Sequence, residues 1–170
     1  MKQLLVVLVL VGAVFGVYKH LAPPEKAPDL TFEDAAGGRI GWAELREGKR
    51  HLLAVFLLPG CSMSEYSAEL VSDVHAQYED SVAFVGLAFG TAPFAERYKQ
   101  DHGLDFAVVG LRTVTDPYAG QEFFDNVRKA YGASSGIYGG TIILLDEQNE
   151  MLFGLAKEDV KELSGRLAAL

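Results

Sequence analysis

The sequence contains only one cysteine, Cys61, among its 170 residues. This chain therefore cannot form an internal disulfide bond, and any site built from two cysteines of the chain is excluded. Four histidines are present, but they lack the i, i+4 spacing or the accompanying cysteines of a metal site. They are His20, His51, His75 and His102. The sequence thus predicts no metal site and no cofactor.

Basic residues are also few, with 15 Lys and Arg against 23 Asp and Glu and a formal net charge of −8. Nucleic-acid surfaces need clustered Lys and Arg to contact phosphates, and the sequence has no such cluster. The glycine-rich stretch 136–140 lacks the lysine and the following helix of a phosphate-binding loop. Nucleic acid is therefore excluded as a partner.

Hydrophobic residues make up 49% of the chain, which is enough for one domain with a substantial core. After residue 50, apolar runs of strand length alternate with stretches of helical periodicity. The predicted strands are 51–58, 82–89, 106–111, 141–145 and 150–155, and the predicted helices are 64–78, 93–102, 120–131 and 158–170. This order predicts an α/β fold with parallel strands, right-handed crossovers and a final antiparallel hairpin.

The N-terminal segment differs from the rest of the chain. Lys2 precedes an apolar run over residues 4–18, and Lys19 follows it. Residues 1–21 are therefore predicted to be a signal anchor or a signal peptide, and the anchor is favoured because no Ala-x-Ala cleavage site follows. A buried core helix is the remaining alternative. Closely spaced prolines predict a stiff tether over residues 22–28, which would hold a domain of residues 29–170 outside the cytoplasm.

Cys61 lies between a predicted buried strand and a predicted helix. The first turn of a helix presents unpaired N–H groups and a partial positive charge, which stabilise a thiolate and lower the pKa of a cysteine there. A lone cysteine also often packs as a small hydrophobic side chain. Both interpretations of Cys61, reactive thiol and core residue, stay open at this point.

Ser64 follows Cys61 in a Cys-x-x-Ser arrangement and has two possible roles. Its hydroxyl can cap the helix, which is the favoured role, or it can donate a hydrogen bond to the Cys61 thiolate. If Ser62 is the N-cap, Ser62 and Glu65 form a capping box. The carboxylates of Glu65 and Glu69 would raise the pKa of Cys61 and oppose the helix terminus.

Several segments together resemble the thioredoxin-like redoxin family over residues 27–170. The chain is similar to membrane-tethered extracytoplasmic members and to the thioredoxin-like maturation proteins of methylamine dehydrogenase. The matching segments are Ala-Pro-Asp-Leu at 27–30, the glycine-containing turn at 38–45, the strand at 49–56 and the strand ending in Asp at 138–146. The resemblance implies a three-layer sandwich with a mixed central sheet and an active site at Cys61.

The chain departs from that family at the positions that carry its chemistry. Relatives usually have Trp-Cys-x-x-Cys and a cis-proline opposite the cysteines, whereas this chain has Gly60 before the cysteine, Ser64 in place of the second cysteine and Gly140 at the proline position. The resemblance implies that Cys61 and Ser64 are the catalytic residues. It places substrate binding at Gly60, Gly140 and Thr141.

Two functions follow from these features. The first is a monothiol redox or mixed-disulfide role on extracytoplasmic protein thiols, in which an external thiol completes the reaction. The second is a tethered binding or assembly module without turnover, which the losses at Ser64 and Gly140 favour. For either function, the resemblance and the N-terminal segment together predict a location at the bacterial inner membrane facing the periplasm, or export.

Overall fold

The computed structural model describes residues 26–113, 116–118, 120–131 and 139–170, with only the backbone described at 128–131, 157 and 158. The predicted signal anchor at 1–21 lies outside these residues. Within them, no helix has the length and apolar character needed to cross a membrane. The fold below is therefore that of the predicted domain and the short segment before it.

Seven strands of the described chain form one mixed sheet in the order β2-β1-β5-β4-β3-β6-β7. Their bounds are β1 Thr31–Glu33, β2 Arg39–Gly41, β3 His51–Leu57, β4 Val82–Ala88, β5 Ala107–Gly110, β6 Ile142–Leu145 and β7 Met151–Leu155. β3, β4 and β5 are parallel neighbours, and β6 pairs antiparallel with both β3 and β7. The predicted parallel strands and the final hairpin are confirmed.

Helices cover both faces of the sheet. They are α1 Trp42–Arg46, α2 Ser62–Tyr78, α3 Ala92–His102, α4 Gln121–Tyr131 and α5 Leu163–Leu167, with a 3-10 helix at Lys157–Glu162 before α5. Residues of α2, α3 and α5 share one core with Leu53, Val55 and Leu57 of β3. Residues of α1 and α4 share the other core with the alternate β3 residues Leu52, Ala54 and Phe56. This alternation is expected for a central strand buried on both sides.

The C-terminal prediction needs a correction. The sequence predicts one helix over 158–170 with Val160, Leu163, Leu167 and Leu170 on its buried face, but the chain forms a 3-10 helix and then the short α5. The first three of these residues are at most 2% exposed, whereas Leu170 is 55% exposed. α5 ends at Leu167, so Leu170 lies beyond the helix and its apolar face.

Residues 26–28, the last part of the predicted tether, pack against the domain. Ala27 is 2% exposed, and its amide donates a hydrogen bond to the Asn149 carbonyl over 2.8 Å. The indole Nε1 of Trp42 donates to the Pro28 carbonyl over 2.8 Å. Residues 26–28 therefore lie against the domain, and the packed chain begins before residue 29.

Candidate functional site

Cys61 lies at the carboxyl edge of the central parallel strands, where a tight turn connects β3 to α2. The Cys61 amide donates a hydrogen bond to the Leu58 carbonyl over 3.2 Å, and Gly60 has φ +66°. Pro59 and Gly60 occupy the two central positions of this turn, and a glycine with positive φ at the second of them is typical of a type II turn. The turn directs the chain from the buried β3 into α2 and leaves Cys61 partly exposed.

α2 begins at Ser62, and Cys61 is its N-cap residue. The amides of Ser64 and Glu65 donate hydrogen bonds to the Cys61 carbonyl over 2.9 and 3.2 Å. The capping box of Ser62 and Glu65 is therefore not formed, because Ser62 already lies inside the helix. The thiol instead occupies the position at which a helix terminus most favours a negative charge.

Ser64 does not cap the helix, so the favoured prediction for it is wrong. Its side chain is fully buried, and its Oγ accepts a hydrogen bond from the Leu58 amide over 2.9 Å. The Ser64 hydroxyl also hydrogen-bonds to Cys61 and lowers the pKa of that thiol. Since a hydroxyl has one proton and two lone pairs, both interactions are satisfied at once when the proton points to sulfur.

The segment before β6 approaches α2 so closely that side chains are excluded from it. A Cβ at Gly139 would clash with Ser64 Oγ and lie 2.9 Å from Leu58 Cβ. Gly140 has φ +80°, and a Cβ there would lie 2.8 Å from Ser67 Oγ. Both residues are buried, and the described chain contains no cis peptide bond at this or any other position. The glycines thus bring backbone polar groups next to Cys61.

Three hydrogen bonds fix this glycine segment against β3 and α2. Ser67 Oγ donates to the Gly140 carbonyl over 2.6 Å, and the Gly140 amide donates to the Phe56 carbonyl over 2.7 Å. The Phe56 amide donates to the carbonyl of Thr141, which is 4% exposed, over 2.8 Å. Gly140 and Thr141 are therefore held in place by the β3 main chain and by the Ser67 side chain.

The pKa of Cys61 is lower than that of an ordinary cysteine. Burial is the largest single influence and raises the pKa, but four hydrogen bonds together outweigh it. They come from the backbone of Ser64 and Met63, the hydroxyl of Ser64 and the backbone of Gly139. Hydrogen bonds to the charged form favour ionisation, so the geometry stabilises a thiolate.

Tyr98 of α3 is a buried neighbour of Cys61 that the sequence analysis does not identify. Burial, then the charges of Glu65 and Cys61, raise the pKa of its phenol to about 12. Tyr98 is 6% exposed, and its hydroxyl has no hydrogen-bond partner among the described residues. Glu65 and Glu69, which the sequence predicted to raise the pKa of Cys61, are not among the groups that shift it, whereas Glu65 raises the pKa of the Tyr98 phenol.

The structure brings all five predicted site residues to this edge of the sheet: Gly60, Cys61, Ser64, Gly140 and Thr141. Gly60 and Cys61 are accessible, whereas the other three are buried. Sequence reasoning missed Ser67 and Gly139. The available signal was the run of small residues on one face of α2, Ser64, Ser67 and Ala68, which indicates a close backbone approach.

A separate cleft of about 680 Å³ lies between the entry segment at 28–31 and the N-terminal half of α4. Its lining includes Arg39, Asp116 and Gln121, but none of the five predicted site residues. A large volume alone does not identify a reactive centre. The hydrogen bonds to Cys61 Sγ are chemically specific, so we place the candidate active site at Cys61 and outside this cleft.

The comparisons with protein-family models and with curated proteins gave no match. Solved structures do match over most of the chain. A thiol:disulfide interchange protein from Bacteroides sp. is 15% identical, with a TM-score of 0.62 and coverage of 86% of this chain and 90% of that one. A thiol-disulfide oxidoreductase from Bacteroides fragilis is 17% identical, with a TM-score of 0.60 and coverage of 85% and 98%.

A secreted disulfide oxidoreductase from Mycobacterium tuberculosis is also similar, at 19% identity and a TM-score of 0.55, with coverage of 83% of this chain and 96% of that one. At these identities the likeness concerns the fold. The mixed sheet and the helices on both of its faces agree with it. The chain therefore has the thioredoxin-like fold that these thiol-disulfide oxidoreductases share.

Proposed function

We propose that the protein is a single-cysteine thioredoxin-fold protein that forms mixed disulfides through Cys61 with extracytoplasmic proteins. The observation that carries this proposal is the set of four hydrogen bonds that lower the pKa of Cys61 in spite of its burial. A structural core cysteine needs no such set, because its neutral thiol is already the favoured form in apolar surroundings.

The chemistry is thiol-disulfide exchange. The Cys61 thiolate attacks one sulfur of a partner disulfide, the partner's S–S bond breaks, and a Cys61–S bond forms while the second partner sulfur leaves as a thiolate. No electrons are gained or lost overall. The product is a mixed disulfide between this chain and its partner.

Release of the partner requires a second thiol from outside the chain. Ser64 occupies the position of a resolving cysteine, but a hydroxyl cannot attack a disulfide under these conditions. An external thiolate must therefore attack the mixed disulfide and regenerate the Cys61 thiolate. The expected behaviour is a long-lived mixed disulfide whose lifetime depends on the external thiol.

The roles of the site residues follow from their exposure. Cys61 is the nucleophile, and Ser64 donates the hydrogen bond that stabilises its thiolate. Gly60 is exposed beside the thiol and has no side chain to obstruct an approaching disulfide. Gly140 and Thr141 are buried, so they contribute to substrate binding by holding the backbone beside Cys61.

We place the protein outside the cytoplasm, held by residues 1–21 as a signal anchor or exported by them as a signal peptide. The apolar run with flanking lysines supports this location. The fold likeness to a protein described as secreted also supports it. An oxidising compartment would supply the disulfides that the proposed reaction requires.

Trapping tests this function. Cells that produce the full-length protein are quenched in acid, which stops thiol exchange, and free thiols are alkylated before analysis under non-reducing conditions. The proposal predicts reducible adducts that disappear in the Cys61→Ala variant. A protein recovered only with a free Cys61 would instead favour the alternative of a binding or assembly module without turnover.

A further inference from the structure

Arg112 follows β5 at the same edge of the sheet as Cys61 and holds an unusual position. Its guanidinium carbon lies 4.1 Å from the centre of the Phe89 ring, and Phe89 stacks on Phe124 of α4 at 4.5 Å. The Arg112 amide donates to the Gly90 carbonyl over 3.0 Å. The backbone and the side chain of Arg112 are thus both held in place.

The charge of Arg112 is not neutralised by any described part of the chain. No carboxylate of residues 26–113, 116–118, 120–127, 139–156 or 159–170 forms an ion pair with it, although acidic residues outnumber basic ones. Its Nε is buried and has no hydrogen-bond partner among these residues. A buried donor on a charged group that lacks an acceptor is costly, so the Nε–H of Arg112 is available to an acceptor from outside the described residues.

Strand register places the chain segments that carry Arg112 and Cys61 at the same edge of the sheet. Leu57 of β3, Ala88 of β4 and Gly110 of β5 are successive partners across the sheet. Arg112 lies two residues beyond this row and Cys61 four residues beyond it, at the same edge. Two strand spacings amount to about 10 Å. Cys61 and Arg112 therefore follow strand ends that lie about this far apart at one edge of the sheet.

We infer that Arg112 is a specificity residue that binds a carboxylate of the disulfide with which Cys61 reacts. This inference rests on the proposed function of Cys61. Arginine is suited to this role because its planar fork can bind a carboxylate through two hydrogen bonds, while stacking on Phe89 preorganises it. Cys61 thus selects acidic disulfides over neutral ones.

Two small disulfides test this selection, namely dithiobis(nitrobenzoate), which carries a carboxylate on each half, and dithiodipyridine, which is neutral. In both reactions the Cys61 thiolate forms a bond to one sulfur and the other half leaves as a coloured thiolate or thione. The Arg112→Gln variant is expected to react with the acidic reagent about fivefold more slowly, which is the effect of losing a partly exposed ion pair. Its rate with the neutral reagent is expected to change by less than about twofold.

Arg50→Gln is the matched control. Arg50 precedes β3 at the opposite edge of the sheet, and its side chain is 79% exposed, so the variant removes the same charge far from Cys61. The Arg112→Lys variant keeps the charge but lacks the planar fork. Its rate with the acidic reagent is expected to lie between the rates of the Arg50→Gln and Arg112→Gln variants. Equal slowing of the acidic reagent in Arg50→Gln and Arg112→Gln would overturn the inference, because the effect would then come from net charge.

A binding measurement separates this inference from the proposed function. In a Cys61→Ser protein, nitrobenzoate is titrated while the Nε–H signal of Arg112 is followed by NMR, with nitrobenzene as the neutral control. A saturable shift with nitrobenzoate but not with nitrobenzene supports the carboxylate site. If Cys61 then reacts with neither disulfide, only the proposed function is overturned. Fast reaction of Cys61 with no Arg112 dependence and no shift overturns only the inference.

Discussion

Ser64 Oγ lies 2.9 Å from the Leu58 amide nitrogen and accepts a hydrogen bond from it, while the Ser64 hydroxyl also hydrogen-bonds to Cys61. One buried hydroxyl therefore connects the end of the β3 segment to the thiol at the start of α2. Because the same hydroxyl accepts from the Leu58 amide and hydrogen-bonds to the thiol, a change in the turn that moves Ser64 also changes the ionisation of Cys61.

Replacing Ser64 by alanine is expected to raise the pKa of Cys61, because one of the donors to the thiolate is lost. The Leu58 amide also loses its acceptor, which should destabilise the protein by roughly 1–3 kcal/mol. Alkylation rates report the pKa, and urea unfolding reports the stability. Ser62→Ala is the control, because Ser62 is exposed on the same turn and has neither contact; an equal effect of both variants would contradict the coupling.

Replacing Ser64 by cysteine is expected to restore a dithiol site. Residues three apart on a helix have Cβ atoms roughly 5–6 Å apart, and small backbone adjustments at a helix terminus allow the closer approach of a disulfide. Oxidised Ser64→Cys should contain no free thiol, and a thiol assay after denaturation measures this. Two free thiols after oxidation would show that Cys61 and position 64 do not have the geometry of a redox pair.

Gly139→Ala is expected to destabilise the protein by roughly 1–3 kcal/mol, because the added Cβ would meet Leu58 Cβ at 2.9 Å and displace the Ser64 hydroxyl. Gly165→Ala in α5 provides the matched control, since an added Cβ there has no neighbour within 4 Å. Alanine favours helix over glycine by up to about 1 kcal/mol, so this variant should be neutral or stabilised. Equal unfolding free energies for the two variants would rule out the close approach at Gly139.

The buried phenol of Tyr98 predicts a pH dependence at the alkaline end. Its pKa is raised to about 12 in the folded protein, whereas an unfolded tyrosine titrates near pH 10. A raised pKa contributes stability that is complete below about pH 10 and is lost as the pH rises toward 12. In the Tyr98→Phe variant, the free energy of unfolding should therefore fall less between about pH 10 and pH 12 than in the unmodified protein.

Urea unfolding across that pH range measures the effect, with Tyr118→Phe as the control because Tyr118 is 76% exposed. At neutral pH, Tyr98→Phe should be neutral or slightly stabilising, since the hydroxyl has no partner in the described chain. A loss of more than about 1 kcal/mol at neutral pH would show that the Tyr98 hydroxyl is hydrogen-bonded.

Periodicity predicted the parallel strands and the final hairpin because these segments are mostly apolar and consistent with their local propensities. β1, β2 and α1 were not predicted as elements, since their short sequences mix charged and apolar residues and they take their stability from tertiary contacts. The single helix predicted over 158–170 was wrong, because the chain forms a 3-10 helix and then α5 there. Its stripe of Val160, Leu163 and Leu167 identifies buried residues but does not distinguish a 3-10 helix from an α-helix at so short a length.

The site was predictable in its position but not in its hydrogen bonds. The apolar run before Cys61 and the helical periodicity after it place the thiol at a strand-to-helix junction. The role of Ser64 depended on whether Cys61 or a later residue is the N-cap, and element boundaries are the least certain part of a sequence prediction. The contact between Gly139 and Ser64 joins residues 75 positions apart in the sequence, so local patterns could not reveal it.

The central claim is that the surroundings of Cys61 stabilise its thiolate, and the rate of Cys61 alkylation as a function of pH tests it most directly. Iodoacetamide reacts with the thiolate, so the midpoint of the rate profile is the pKa of Cys61. With one cysteine in the chain, the signal comes from this thiol alone. The account predicts a midpoint below the ordinary value of about 8.5 and a higher midpoint in Ser64→Ala. A midpoint at or above about 8.5 in the unmodified protein would contradict it.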